Sequence, residues 1–312
     1  MTLDQTLSAT LLTALTLVFG GLFAAVGARP GEEPPGMNPL SGVRSWVYQL
    51  QGISPAVLAR SGYDMAVIDY SRNGREKGAL LASELAAIKV KPDGRRRIVL
   101  AYLSIGEAED YRYYWDPDWS RSPPEWLGPE NPEWKGNYWV RFWDTRWQEI
   151  IYRSAGSYLE KIVAAGFDGV YLDRIDAFEE PDPEYDPSRR MLAMAQFVEA
   201  LAERGRALNP GFLVVVQNGE ELLENADYRR TIDGFAKEDL LFGIHKDGQR
   251  NTRSETRASL NLISLLLDSG KPVFLAEYLS DAAVIEAART DAATLGTPLF
   301  VGGRALDLPY SR

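Results

Sequence analysis

From residue 40 onward the chain alternates short apolar runs with longer stretches in which apolar residues recur every three or four positions. The runs fall at residues 46–51, 65–70, 98–105, 169–175, 213–218, 234–238, 272–278 and 298–303. They are rich in Val, Ile, Leu and Tyr without clean alternation, which predicts strands covered on both faces. Between them, residues 55–61, 79–88, 146–165, 188–208, 254–269 and 281–295 carry the helical period. Gly166, Gly211, Gly270 and Gly296 sit just past helix ends, where a left-handed cap favours glycine; Ser254 and Asp281 stand at helix starts.

Strand–helix alternation with no break in composition predicts one α/β domain over residues 40–312 with a parallel sheet, and eight units predict a closed (β/α)8 TIM barrel. An open doubly wound sheet is the alternative, but no glycine-rich dinucleotide fingerprint follows the first strand. One connection breaks the rhythm. About forty residues rich in Trp, Tyr and Pro lie between Gly106 and Thr145. So aromatic a loop is not a disordered one, and because it follows the third strand it is expected over the C-terminal mouth, where barrel active sites form.

Residues 9–28 are nearly all small or apolar and end in Val26-Gly27-Ala28. They predict a signal peptide or an N-terminal anchor over residues 1–28, with a Pro/Gly-rich flexible linker over residues 29–39. The expected location is secreted or in the cell envelope, with membrane contact only through an uncleaved N-terminal segment.

Composition narrows the chemistry. The formal net charge is −10, which argues against a nucleic-acid partner. There are no cysteines, so disulfides, thiolate metal sites and a cysteine nucleophile are excluded. The single histidine, His245, cannot build a multi-histidine metal site and is expected in a loop rather than in a Ser-His-Asp triad. Hydrolytic chemistry would therefore rest on carboxylates, with no metal and no cofactor. Aromatics make up 11% of the chain, with 8 Trp and 15 Tyr; most are expected in the core, and some as stacking platforms for sugars.

Polar side chains gather at the C-terminal ends of the runs: Gln49; Asp69 and Tyr70; Tyr102, Ser104 and Glu107; Asp173 and Asp176; Gln217 and Asn218; Glu238; Glu277 and Tyr278. Repetition at one rim predicts a polar pocket, since buried carboxylates are costly unless paired or used. Alternate strand residues point into a barrel, which puts Tyr171 with Asp173 and Ala236 with Glu238. Asp173 and Glu238, ending the fourth and sixth strands, are the candidate catalytic pair, because hydrolysis of a glycosidic bond needs two carboxyl groups. The others are candidate substrate-binding residues. The acidic run at residues 179–186 lacks EF-hand spacing and is expected as a solvated loop, with contact to a cationic sugar as a further role.

Trp46-Val47-Tyr48-Gln49-Leu50-Gln51, Val67-Ile68-Asp69-Tyr70-Ser71, Ala101-Tyr102-Leu103-Ser104-Ile105-Gly106-Glu107-Ala108-Glu109 and Gly166-Phe167-Asp168-Gly169-Val170-Tyr171-Leu172-Asp173 together resemble glycoside hydrolase family 114. The resemblance runs from residue 40 through nearly all of the chain. It implies a (β/α)8 barrel and an endo-α-1,4-polygalactosaminidase-like activity on a galactosamine-containing polysaccharide. It also implies Asp173 as nucleophile and Glu238 as acid/base, with roles exchangeable. The long loop after the third strand departs from the family's pattern and leaves the subsites open. Two other readings stand beside this one: a non-catalytic carbohydrate-binding barrel of the cell envelope, and a hydrolase acting on a different glycan.

Overall fold

The computed structural model describes residues 38–307; residues 1–28 and most of the linker lie outside them. Eleven strands are present among the described residues: β1 (Trp46–Gln49), β2 (Met65–Asp69), β3 (Ile98–Ser104), β4 (Glu107–Glu109), β5 (Leu127–Glu130), β6 (Asn137–Val140), β7 (Gly169–Asp173), β8 (Leu213–Gln217), β9 (Gly234–Glu238), β10 (Val273–Tyr278) and β11 (Leu299–Gly302). Eight of them, one per apolar run, form a parallel sheet in the order β1-β2-β3-β7-β8-β9-β10-β11. Helices stand between them, including Pro187–Leu208 after β7, Arg253–Leu267 after β9 and Ala282–Leu295 after β10. At the seam, the Phe300 ring lies 5.6 Å from Trp46 and 6.2 Å from Tyr48. There the N–H groups of Leu50 and Gln51 donate to the Leu306 carbonyl. The expected (β/α)8 TIM barrel is the observed fold.

Several element ends differ from the sequence expectation for local reasons. The stretch at 146–165 is broken into Thr145–Gln148, a π-helical turn at Glu149–Arg153 and Tyr158–Ala165. Gly156, at φ 74°, interrupts it, and the Ser157 hydroxyl restarts it by accepting from the Glu160 N–H. The seventh-strand approach is capped by Thr252 rather than Ser254. Thr252 Oγ1 accepts from the Glu255 N–H while the Glu255 carboxylate accepts from the Thr252 N–H, a reciprocal box that satisfies two otherwise orphaned donors. Gly166, Gly270 and Gly296 have positive φ, but Gly211 does not, because the chain leaves that helix through an extended Asn209.

The barrel axis is filled by aromatic rings. Tyr48 and Tyr171 lie 5.0 Å apart, with Trp46 5.9 Å from Phe274 and 6.1 Å from Tyr171, all nearly without solvent exposure. Filled in this way, the barrel is a packed core rather than a pore, and a polar cavity opens at its C-terminal end.

The aromatic-rich connection is ordered. β4, β5 and β6 make a small antiparallel sheet in the order β4-β6-β5. Its tryptophans pack against one another, with Trp115–Trp119 at 5.2 Å, Trp119–Trp126 at 5.0 Å and Trp126–Trp147 at 5.2 Å. These rings are therefore the core of the insert. Its entry needs Gly106, where a Cβ would come within 2.3 Å of the Arg174 carbonyl oxygen. That contact seats the insert directly on the turn after β7.

Candidate active site

Strand parity builds the site. Five consecutive barrel strands each direct one polar side chain into the mouth: Tyr102 (β3), Asp173 (β7), Gln217 (β8), Glu238 (β9) and Tyr278 (β10). They form one hydrogen-bonded row. Tyr102 Oη donates to Asp173 Oδ2 at 2.7 Å. Gln217 Nε2 donates to Asp173 Oδ1 and to Glu238 Oε2, each at 2.8 Å. Tyr278 Oη donates to Glu238 Oε1. Both oxygens that accept from Gln217 touch the same nitrogen, so they can be no farther apart than twice 2.8 Å.

The strand ends are held by unusual backbone. Arg174, Asn218 and Asp239, the residues that follow Asp173, Gln217 and Glu238, have φ of 58°, 60° and 51°. Left-handed conformation at non-glycine residues is uncommon and clusters at functional sites. The first two of these turns aim a group back at the row. The Arg174 N–H donates to Asp173 Oδ1 at 2.8 Å. Asn218 Nδ2 donates to Glu238 Oε2 at 3.0 Å, and its Oδ1 accepts from the Glu238 N–H at 3.1 Å.

Burial pushes Asp173 up to about 6, opposed by the Tyr102 hydrogen bond and the Arg174 charge. Burial, and then the Asp173 charge beside it, pushes Glu238 up to about 7, opposed by Tyr278 and Asn218. Both carboxyls are thus held above the ordinary carboxylate range by burial.

The row floors a cavity of about 630 Å³ whose lining includes Tyr48, Asp69, Tyr102, Glu107, Asp173 and Asp176, with Gln217, Asn218, Glu238 and Tyr278 beyond them. On its β2 side lies a buried ion cluster. Arg112 Nη1 donates to Asp69 Oδ2 at 2.6 Å and Arg112 Nε to Glu109 Oε2 at 2.5 Å. On its insert side Glu107 is fully buried. It accepts from Asn131 Nδ2 at 2.8 Å and Asn137 Nδ2 at 3.1 Å, and pairs with Arg174 Nε at 3.0 Å. Arg174 also pairs with Asp176 at 3.1 Å and lies 4.7 Å over the Trp139 ring.

The profile of glycoside-hydrolase family GH114 matches residues 27–300. The chain belongs to family GH114. It is 41% identical over 242 residues to an uncharacterized protein of Methanocaldococcus jannaschii, covering 76% of this chain and 66% of that protein. It is 33% identical over 298 residues to an uncharacterized protein of Deinococcus radiodurans, covering 91% of each. In fold it is similar to the glycoside hydrolase domain of PelA from Pseudomonas aeruginosa, with TM-score 0.66, 17% identity, and 86% of this chain and 97% of that one covered. It is likewise similar to Aspergillus fumigatus Ega3 solved in complex with galactosamine, with TM-score 0.64, 19% identity, and 88% and 96% covered. As a GH114 member the protein is a glycoside hydrolase, and its partner is a polysaccharide.

Not every candidate of this GH114 chain reaches the cavity. Gln49, Tyr70, Ser104 and Glu277 are absent from its lining. Gln49 Nε2 donates to the carbonyls of Gln51, Gly52 and Asp307. The Tyr70 ring meets Tyr158 edge-on at 5.7 Å. Ser104 Oγ donates to the Glu107 carbonyl at 3.2 Å. Glu277, fully buried, accepts from the N–H groups of Leu241 at 2.8 Å and Phe242 at 3.2 Å, tying down the segment after β9. Gln49, Tyr70 and Glu277 have the opposite parity to Tyr48, Asp69 and Tyr278. Parity would therefore have exchanged Gln49 for Tyr48, which does line the cavity. Glu109, Arg112, Trp134 and Arg304 also line it; no periodic signal marks them, as they belong to the insert or to the chain after β11.

The acidic run has structural partners. Arg141 pairs with Asp182 at 3.3 Å and Glu184 at 3.4 Å, and Asp186 caps Pro187–Leu208. His245 lies in the segment after β9, 2.8 Å from Glu255. Among the described residues no cluster of three or more His, Cys, Asp or Glu could hold a metal ion, and no helix is long and apolar enough to cross a membrane.

Proposed function

We propose that the protein hydrolyses an α-1,4-linked galactosamine-containing polysaccharide with retention of configuration, through Asp173 as nucleophile and Glu238 as acid/base. The observation that carries this reading is the pair of 2.8 Å bonds from Gln217 Nε2 to the two carboxylates. Retaining enzymes hold their carboxyls about 5–5.5 Å apart, whereas inverting ones need about 6.5–9.5 Å to admit water. A shared nitrogen keeps the two accepting oxygens no farther apart than twice 2.8 Å, short of the inverting range.

In the first step an Asp173 oxygen attacks the anomeric carbon while Glu238 gives its proton to the glycosidic oxygen, so the bond to the leaving sugar breaks as the ester bond forms. In the second step Glu238 takes a proton from water, the hydroxide adds to the anomeric carbon, and Asp173 leaves as a carboxylate. Tyr102 and the Arg174 N–H stabilise Asp173 as an anion at the start and end of the cycle. Family membership, the likeness of fold to a protein solved with galactosamine, and a net charge of −10 suited to a polymer bearing amino groups support the choice of substrate. The apolar run at residues 9–28 supports action outside the cytoplasm, which fractionation of the producing cells would test.

The test is incubation of residues 39–312 with partly deacetylated α-1,4-galactosaminogalactan, with soluble oligosaccharides followed by mass spectrometry. Release by the parent, with loss in Asp173→Asn and Glu238→Gln, is expected. Release that survives both substitutions would move the reaction elsewhere, and binding without release would favour a carbohydrate-binding role.

A further inference from the structure

The cavity over the carboxylate row does not end at Glu238. A second hollow of about 440 Å³ adjoins it, and the two share Trp134, Asn218, Glu238 and Arg304. Asp69 and Glu109 line only the first; Lys237 and Ile244 line only the second. β2 and β9 stand four places apart in a ring of eight, on opposite sides of the barrel. A groove therefore runs from the β2 side of the mouth, over Asp173 and Glu238, and out past β9.

Two large apolar side chains stand open at that exit. Trp134 is 51% exposed and Ile244 49%. All eight tryptophans of the chain lie among the described residues, and Trp134 is the one in the exposed class; the others pack in the barrel or the insert. Paired apolar exposure beside a polar groove marks a recognition surface.

The backbone that carries the indole is also held in place. Its loop is closed by the Trp134 N–H to the Asn131 carbonyl, the Asn137 N–H to the Trp134 carbonyl, and the Asn131 N–H to the Asn137 carbonyl. The amides of Asn131 and Asn137 then clamp the loop to buried Glu107. Glu107 in turn is paired with Arg174, the residue next to Asp173. An indole carried on such a loop offers a large flat face, which suits the C–H face of a pyranose. Lys237, paired with Glu220 at 3.2 Å, and Arg304, paired with Asp239 at 2.9 Å and Asp247 at 2.7 Å, line the same hollow.

We propose that this second hollow is the leaving-group subsite, which holds the sugar on the reducing-end side of the scissile bond against Trp134 and Ile244. The assignment rests on Glu238 as the acid: the acid must reach the glycosidic oxygen, and the sugar beyond that oxygen lies on the acid's side. The same subsite would seat an acceptor sugar once the covalent intermediate has formed.

The experiment compares the parent, Trp134→Ala and Trp134→Phe on two substrates. One is the soluble polymer, whose leaving group is a sugar chain. The other is α-galactosaminyl fluoride, whose leaving group is a single atom and fills no subsite beyond the bond. Trp134→Ala should lower kcat/KM for the polymer at least tenfold more than for the fluoride, and Trp134→Phe should restore most of the loss. Equal losses on both substrates, or no loss on the polymer, in an otherwise active enzyme would overturn the subsite. A parent inactive on both substrates would instead remove the proposed function.

Discussion

Asp173 Oδ1 and Glu238 Oε2 accept hydrogen bonds from one nitrogen, Nε2 of Gln217, at 2.8 Å each. Two carboxylates held this close cannot both ionise freely, because each charge raises the other's proton affinity. Gln217 favours the charged form of both, yet burial, joined at Glu238 by the Asp173 charge, leaves both above the ordinary carboxylate range. The pair therefore shares one proton near neutrality.

That sharing fixes a pH profile. In the proposed mechanism the nucleophile must be ionised, which requires pH above about 6 for Asp173. The acid must be protonated, which requires pH below about 7 for Glu238. The profile of kcat/KM should be a narrow bell with its maximum between these values. A maximum below pH 5 would show that burial does not raise the two carboxyls.

Gln217→Leu should shift both limbs upward. The substitution removes a donor that favours each charged form, and a hydrogen bond to an ionised group is worth about 1.5–3 kcal/mol, or about one to two pH units. Activity at pH 6 should fall. Limbs that stay in place would show that Gln217 only fills space.

Glu107→Ala should destabilise the protein by about 2–4 kcal/mol, read from urea unfolding. The change strips the partner from Arg174 and the acceptors from Asn131 and Asn137, and leaving buried polar groups unpaired is costly. Hydrogen exchange at residues 131–137 should speed up in the same variant. Unchanged exchange there would mean that the Trp134 loop is held by its own backbone bonds.

Stability itself should decline between about pH 5 and 8. Burial pushes Glu277 up to about 8, against the pull of the Leu241 and Phe242 N–H groups. With its folded value raised, the fold binds a proton that the unfolded chain has already lost, so this contribution is full at low pH and vanishes as pH rises through about 8. Asp173 and Glu238 act with the same sign. The melting midpoint should fall across this window, and Asp173→Asn with Glu238→Gln should flatten the fall; a midpoint that rises with pH would contradict the raised values.

The pattern of apolar runs and helical periods determined the eight strands, the barrel and the rim to which polar groups converge, because period and parity are local properties of the chain. They also brought out Asp173 and Glu238. What they could not convey was partnership. Gln217 bridges the two carboxylates only because β7, β8 and β9 are neighbours in the closed sheet. Gln49 and Glu277 stand at the same rim as Tyr48 and Tyr278 but face the other way and bind backbone. The insert was legible as an anomaly, not as a structure: its side chains follow no period, so the burial of Trp115, Trp126 and Trp147 and the exposure of Trp134 were decided by packing across β4, β5 and β6. The same holds for Glu107, whose carboxylate joins loop, insert and the turn after Asp173 through contacts up to 67 positions apart in sequence. Tertiary structure decided these because hydrogen bonds and ring contacts depend on which surfaces the closed barrel brings together.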